Sequence, residues 1–465
     1  MEYKKHTHRE HIYELPDTYI GSIENSKEEH YILKDDRIIL ELLDFNPGFY
    51  KLVDELLVNA HDHAVRLREC ESDDPVKHIS INVTPEKITV KNDGEAILIS
   101  EHPEYHIPIP QLIFGELLTS TNYNKSEKKL VGGKNGYGVK LVNIFSQKFE
   151  LCIINSKEGK KYEQTFEKNM TIIGKPRITT CKQKSSIEIS WTPDFQKFGW
   201  TEIPSSIIKV LERRVHDIAM TVGTKVTWNS QIIKYKDLQS YALKYVDTLV
   251  VENMPRWNIA IGESNKFMSV SFVNGVWTRG GKHIDEILNQ IVSYFVEHLE
   301  LKKKIKVKPS FIKDSLAIFI SCSIENPSFS SQTKEIMTTK VSCKLSPEFL
   351  KKLLKLNIID KVLEEQEKKD KKDDKKTDGK KTSKVVVPKL NDAGFAGTLK
   401  SQECILILTE GDSAKAMALS GLSQDQRQYF GVYPLRGKLL NVKDVSIKKI
   451  SETEEISNLK KIMRI

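Results

Sequence analysis

The chain has 465 residues, with 72 Lys and Arg against 63 Asp and Glu and a net charge of +9. That length sets a soft expectation of about three domains, and the moderate charge is compatible with a polyanionic partner without being diagnostic of one. Six scattered cysteines (Cys70, Cys152, Cys181, Cys322, Cys343 and Cys404) include no Cys-x-x-Cys pair, which argues against a disulfide framework or a zinc site. The N-terminus lacks an apolar signal core and no run reaches membrane-spanning length, so a soluble intracellular protein is expected.

In residues 49–62, Phe49, Leu52, Val53, Leu56, Leu57 and Ala60 recur at helical spacing and mark a buried stripe. Glu55, Asn59 and Asp62 stand at i, i+4 and i+7 and share a second, polar face. A carboxylate and a carboxamide one turn apart can divide two tasks, one activating a water and the other holding a hard cation through oxygen. Alone, the segment reads more readily as a surface helix with its solvated side. The segments that follow change that.

Residues 88–94 alternate β-branched positions and end in Asn92-Asp93-Gly94, a strand running into a turn. Asp93 there can accept from the exocyclic amine of a purine, and Gly94 lets the backbone approach closely. Residues 131–140 place Gly132, Gly133, Gly136 and Gly138 just before the apolar run 141–145. This suggests a loop whose amides wrap phosphates at a helix N-terminus, with Lys134 and Lys140 as point charges. It is not the P-loop pattern, which needs Gly-Lys-Ser/Thr at another spacing.

Up to about residue 230 the chain alternates helical and strand patterns, one α+β domain. A second unit, from about 231 to 390, holds strand-like 268–273, helical 284–299 and strand-like 316–322. Between them, Lys302, Lys303 and Lys304 crowd one short loop with few acids nearby. A solvated edge and a sequence-independent DNA-phosphate contact are evenly matched there. Residues 364–384 are charged and of low complexity, expected as helix fraying into a disordered linker. Residues 391–465 form a third unit, in which the apolar run 404–408 resembles a buried strand. It delivers Glu410 and Asp412 to its end, where a carboxylate suits Mg²⁺, and 414–419 looks helical.

The first three segments resemble the ATP-binding fold shared by DNA gyrase, Hsp90, MutL and the histidine kinases, known as GHKL. Pro16-Asp17-Thr18-Tyr19-Ile20-Gly21-Ser22, residues 112–123, the 133–140 loop, Ser271-Phe272-Val273-Asn274-Gly275, Ser331-Gln332-Thr333-Lys334-Glu335, residues 408–414 and residues 434–442 narrow the resemblance to eukaryotic-type (type IIA) DNA topoisomerase II. It runs in the family's order from about Tyr13 almost to the last residue. The implied architecture is a GHKL (Bergerat) sandwich over 1–230, a ribosomal-protein-S5-like transducer over 231–390, and an incomplete α/β TOPRIM fold over 391–465.

The resemblance implies an ATP-hydrolysing N-terminal gate, with ATP and Mg²⁺ as cofactors. Glu55 becomes the general base and Asn59 the Mg²⁺ ligand. Asp62 joins the ATP site and Asp93 reads adenine. Ser120, Thr121 and Asn122 contact ribose or phosphates, while Gly133, Lys134, Asn135, Gly136, Tyr137, Gly138 and Lys140 cover the triphosphate. Gln332 and Lys334 reach the γ-phosphate from the transducer. Glu410 is the implied TOPRIM metal ligand, and Arg436 and Lys438 join the lysine loop as DNA contacts. The implied partners are double-stranded DNA, a second copy on ATP binding, and a chain or region carrying the cleavage tyrosine. The segment from Tyr13 to Ser22 is expected to embrace the second copy, and the setting is the nucleus of a eukaryote or the host cell of a virus.

Two departures stand out. Where the family reads Asn-Asx-Gly-x-Gly-Ile-Pro, residues 92–98 are Asn-Asp-Gly-Glu-Ala-Ile-Leu, so a reshaped turn is expected. The sequence given also stops before the Asp-x-Asp pair and the tyrosine, so no DNA cleavage is expected of this chain alone. The alternative reading is an ATP-dependent DNA-clamping module without strand passage. A chaperone or repair ATPase of the same fold leaves Gln332-Thr333-Lys334 and Glu410-Gly411-Asp412-Ser413 unaccounted for.

Overall fold

The structure is a computed structural model; it describes residues 5–117, 138–331, 333–366, 387–443, 445, 450 and 453–463. The chain divides into two compact units, Met1–Ile358 and Ile359–Ile465.

The first unit opens with α1 (His8–Glu14), whose N-terminus carries a reciprocal capping box between Thr7 and Glu10. Ile12 is fully buried, and the Tyr13 hydroxyl donates to Asp194 Oδ2 at 2.8 Å while its ring stacks on Phe145. This part of the segment expected to embrace a partner therefore packs on its own chain. The hairpin β1 (Ser26–Lys34) and β2 (Arg37–Phe45) leads into α2 (Pro47–Glu69). Asn46 caps α2 by accepting the Phe49 N–H at 2.9 Å, Pro47 occupies its first turn, and Arg66 and Arg68 sit at its negative C-terminal end.

Next come β3 (His78–Val83), β4 (Ile88–Asp93), α3 (Ile109–Gly115), α4 (Gly138–Ile144), β5 (Ser146–Asn155), β6 (Lys160–Glu167), β7 (Ile172–Ile173), β8 (Arg177–Thr180) and β9 (Ser186–Pro193). Helix α5 (Ser205–Val222), β10 (Lys225–Trp228) and β11 (Gln231–Ile233) complete the set. The strands make one sheet in the order β11-β10-β3-β4-β9-β5-β6-β7, with β8 also paired to β6. Alternation along β3, β4, β6 and β9 turns one face to the helices, as expected of a two-layer α+β sandwich. Because β11 still belongs to this sheet, the first layer runs slightly past the expected boundary near residue 230.

Helix α2 is not a surface helix. Fifteen of its 23 residues are buried, and they include Lys51, Asp54, Glu55, His61 and His63 as well as the apolar stripe. The side with the apolar stripe is anchored by Phe49, which stacks on Trp191 at 5.2 Å and meets Phe198 and Trp200 edge-on at 5.3 and 4.9 Å.

A second sheet follows, from α6 (Leu238–Ala242), β12 (Leu249–Met254), β13 (Trp257–Glu263), β14 (Met268–Val273), β15 (Val276–Thr278), β16 (Gly280–Gly281), α7 (Lys282–His298), α8 (Pro309–Asp314), β17 (Leu316–Cys322), β18 (Ile336–Met337) and α9 (Pro347–Leu353). Its order is β12-β13-β17-β14-β15, with β16 and β18 forming a separate parallel pair. The central strand β17 is buried at all but one position, as its unbroken apolar sequence demands. Ile38 of β2 enters the core of this sheet beside Phe272 and Phe319, so the first hairpin joins the two layers.

In the second unit, β19 (Ile405–Glu410) and β20 (Phe430–Leu435) pair in parallel, linked by a connection that includes the helix Gly411–Gly421. The apolar run 404–408, of buried-strand type by sequence, does form β19, but no residue of that strand is buried. Among the described residues β19 pairs only with β20, and Ile405 and Leu408 are exposed. Residues 364–366 are helical, and the rest of the expected linker lies outside the described residues. No helix among the described residues is long and apolar enough to cross a membrane.

Phe49→Ala removes the anchor of the aromatic cluster and should lower the unfolding free energy by about 3–5 kcal/mol, measured by urea titration. A loss below about 1 kcal/mol would mean that the site collapses around the gap.

Candidate functional site

The polar face of α2 is buried under charges brought from distant parts of the first unit. Glu55 Oε1 lies 2.7 Å from Lys51 Nζ, one turn earlier on the same helix, and 3.7 Å from Lys334 Nζ. Burial by itself would raise the Glu55 pKa, but Lys334 and Lys51 outweigh it and hold the carboxyl down at about 2. Glu55 is thus ionised through the neutral range. The sign follows from the lowered value: this pairing contributes fully to stability above the ordinary carboxylate pKa and is lost as pH falls toward about 2.

Lys334 reaches this position on a tightly held segment. Its backbone is left-handed (φ 62°) and its N–H donates to the Ser331 carbonyl at 3.2 Å. The Glu335 carbonyl accepts from the amides of Arg279 and Gly280 at 2.8 and 3.2 Å, tying the segment to the start of β16. Gln332 lies outside the described residues.

On the other side of Glu55, α4 starts at the last glycine of the Gly-rich segment. A Cβ at Gly138 would fall 2.1 Å from Glu55 Oε2, so the helix start can approach the carboxylate only as glycine. Lys140, expected as a point charge on a loop, is instead buried within α4. Burial brings its pKa down to about 8, with Glu116 partly offsetting the effect. Ser120, Thr121, Asn122, Gly133, Lys134, Asn135, Gly136 and Tyr137 lie outside the described residues.

Asn59 is exposed between buried Val58 and Ala60, one turn beyond Glu55. Asp62 is half-buried, with Oδ1 3.5 Å from Nδ1 of buried His61. The helix therefore offers a carboxamide to an open space beside an otherwise enclosed carboxylate.

Asp93 is not placed as expected. Its Oδ1 accepts the backbone N–H groups of Lys77 and His78 at 2.7 and 2.8 Å, closing the gap before β3. Strand period explains this: Ile88, Val90 and Asn92 are buried on the face toward α2, so Asp93 falls on the opposite face. Asn92 is the buried polar side chain at the strand end, its Nδ2 donating to the Asp93 carbonyl at 2.9 Å. The alternation in residues 88–93 already carried that signal, as the i, i+4 spacing of Lys51 and Glu55 did for Lys51.

The altered turn is secured by Glu95. Its N–H donates to the Asp74 carbonyl at 2.8 Å, its Oε2 accepts from Ser72 Oγ at 2.6 Å, and Lys157 Nζ lies 2.9 Å from Oε1. Arg66, which can only donate, lies 2.8 Å from His63 Nδ1, leaving Nε2–H to donate to the Glu95 carbonyl at 2.9 Å. Burial and the Arg66 charge lower the His63 pKa to about 4 and keep the ring neutral for that arrangement. Gly94, at φ 92°, lies so close to Val76 that a Cβ would fall 2.8 Å from its amide nitrogen.

Lys302 and Lys303 sit on a π-helical turn, Leu299–Lys303, that follows α7, and Lys304 caps its C-terminal end. All three are exposed, while Leu299, Val307 and Ile312 pin the turn from inside. In the second unit, Lys389, Glu410, Asp412 and Arg436 line a shallow cleft at the end of β19. Asp412 is ion-paired with Lys389, and Arg436 lies near Glu454 at 3.8 Å. Lys438 is exposed. No cluster of three His, Cys, Asp or Glu side chains able to hold a metal exists among the described residues. Those residues therefore do not complete the cation site expected at Glu410.

The two sheets and the site between them define a GHKL ATP-binding sandwich joined to a transducer. A family model described as DNA gyrase B matches residues 217–381. The crystal structure of the ATPase region of Saccharomyces cerevisiae topoisomerase II is 38% identical with a TM-score of 0.73, covering 78% of this chain and 98% of that one. The ATPase and transducer domains of DNA topoisomerase II from Balamuthia mandrillaris are 34% identical with a TM-score of 0.72, covering 79% and 98%. DNA topoisomerase 2 of Candida glabrata is 41% identical over 99% of this chain, which spans 35% of that protein's length. The chain belongs to the DNA topoisomerase II family and carries that family's ATPase region.

Asp93→Ala strands the amides of Lys77 and His78 and should lower stability by about 1–3 kcal/mol. Urea unfolding checks this, and an unchanged midpoint would mean that water replaces the carboxylate fully.

Proposed function

We propose that the chain is the ATP-binding and ATP-hydrolysing gate of a type II DNA topoisomerase, coupling ATP-driven dimerisation to passage of a DNA duplex. The observation that carries this reading is the meeting of Glu55 and Lys334. A carboxylate from a helix on the first sheet and an ammonium from a segment tied to β16 share one buried site. A ligand that draws Lys334 away is felt by both layers.

In this reading Glu55 orients the water that attacks the γ-phosphate, since phosphoryl transfer needs positioning more than covalent chemistry. A carboxylate held near 2 is a weak base. When Lys334 turns to the γ-phosphate with Gln332, Glu55 loses its largest opposing charge and gains basicity where it is needed. Asn92, on the α2 face of β4, takes the adenine-reading role in place of Asp93. Gly138 and the residues before it, with Ser120, Thr121 and Asn122, enclose ribose and phosphates, while Lys140 supports α4 from within. Asn59 would hold Mg²⁺ through its carboxamide oxygen, with Asp62 beside it, and the ion would supply charge neutralisation of the triphosphate.

The exposed lysine turn contacts duplex phosphates without reading sequence, and Arg436 and Lys438 extend the same chemistry to the second unit. Partners are DNA, a second copy on ATP binding, and the region that carries cleavage. The setting is the nucleus of a eukaryote or the host cell of a virus.

Glu55→Gln should abolish ATP turnover while leaving binding of a non-hydrolysable analogue largely intact, because a base acts on the transition state. Steady-state hydrolysis with a parallel binding titration checks it, and turnover at the parental rate would reassign the base.

Reversing the charges of Lys302, Lys303 and Lys304 should weaken DNA stimulation of the ATPase and flatten its salt dependence, since fewer counterions are released. An undiminished response would leave the turn as solvated surface.

A further inference from the structure

Asn274 and Gly275 form the two-residue turn between β14 and β15, both at positive φ (51° and 73°). That is the hairpin geometry for which Asn-Gly is the strongest sequence signal. Asn274 is locked in place: its Oδ1 accepts the Ile324 N–H at 2.8 Å and its Nδ2 donates to the Ile324 carbonyl at 2.9 Å. The turn therefore moves only with the second sheet.

This rigid turn rests on the helix that carries Glu55. A Cβ at Gly275 would fall 2.2–2.6 Å from three atoms of the His61 ring on α2. The Gly275 carbonyl accepts from Arg214 Nη2 at 3.2 Å. Arg214, fully buried on α5, also donates Nε–H to Asp54 Oδ1 at 2.7 Å, and its Nη1 lies 3.6 Å from Asp217 Oδ2. Asp54 precedes Glu55. Lys51 Nζ lies 3.9 Å from Asp54 Oδ2 and 2.7 Å from Glu55 Oε1. An unbroken path of polar contacts thus runs from the turn carbonyl through Arg214, Asp54 and Lys51 to Glu55.

Packing alone would not call for this arrangement. An apolar contact of the same volume holds an interface at least as firmly as a buried ion pair, whose desolvation offsets its attraction. What a guanidinium adds is direction, since its planar fork fixes two acceptors at a set angle.

We propose that Arg214 is a positioning residue for hydrolysis, tying the β14–β15 turn to α2 so that the placement of the second sheet sets the orientation of the Glu55 carboxylate. The proposal rests on Glu55 acting on the attacking water. The path reaches Glu55 through Lys51, at the same Oε1 that Lys334 approaches, so a movement of the second sheet acts on the site by two routes.

The test measures kcat, KM and affinity for a non-hydrolysable ATP analogue in the full chain for Arg214→Met, Arg214→Lys, Asp54→Asn and Arg214→Met/Asp54→Asn, with Glu55→Gln alongside. The expected result is a fall in kcat of about 10–100-fold in Arg214→Met and Asp54→Asn, the scale of a small misplacement, with KM and analogue affinity unchanged. Arg214→Lys should recover part of the rate, and the double variant should be no slower than the slower single one. Should Arg214→Met fail to fold, Asp54→Asn keeps side-chain size and decides alone. Parental kcat in Asp54→Asn and Arg214→Lys with an inactive Glu55→Gln overturns the positioning role and leaves the reading of Glu55 standing. Loss of analogue binding in step with kcat overturns it too, as the mark of a purely structural part. Normal turnover in Glu55→Gln removes the reading of Glu55 and this proposal with it.

Discussion

The burial of a charged helix face is the constraint on which the first unit depends. Glu55, Asp54 and Lys51 are nearly inaccessible on α2, and charges taken out of water are tolerated only when opposite charges and hydrogen bonds meet them. The partners come from three places: Lys51 from the same helix, Arg214 from α5, and Lys334 from the segment after the second sheet. Folding of the sandwich and placement of the second sheet are thereby parts of one electrostatic problem.

The apolar architecture makes that burial possible. Phe49, Trp191, Phe198 and Trp200 hold α2 on the sheet from its apolar side, and Ile38 carries the first hairpin into the core of the second layer. Between these two packed regions lies the polar seam of Arg213, Arg214, Asp217 and Tyr241. Asp217 takes the Tyr241 hydroxyl at 2.6 Å and Arg213 Nη1 at 3.0 Å. Sliding the seam would part buried opposite charges, Arg213 and Arg214 from Asp217. That suits a joint with discrete arrangements better than one that yields gradually.

Much of the fold was legible from pattern. Periodicity in residues 49–62 marked α2, alternation marked β4, the strand-like run 268–273 marked β14, and the glycines followed by 141–145 marked the start of α4. The site was legible in part. Glu55 and Lys334 were picked out by family resemblance and do converge. Asp93 was assigned to a ligand, but its carboxylate closes two amides of its own sheet, because position along a strand decides the face and a motif read as a string does not. Lys140 was read as a loop charge, yet helix formation turned it inward.

By itself, the sequence determined which segments become helices and strands, that a turn follows β4 at Gly94, and which family the motifs resemble. These are local properties, governed by backbone sterics and by the periods of 3.6 and 2. Only the tertiary structure decided that the polar face of α2 is buried, that Lys51 and Arg214 belong to the site, and that Asn92 rather than Asp93 faces the helix layer. Arg214 and Gly275 are 61 residues apart in the chain, and Arg214 and Asp54 are 160. Such pairings follow from how the packed layers meet, which no local pattern encodes.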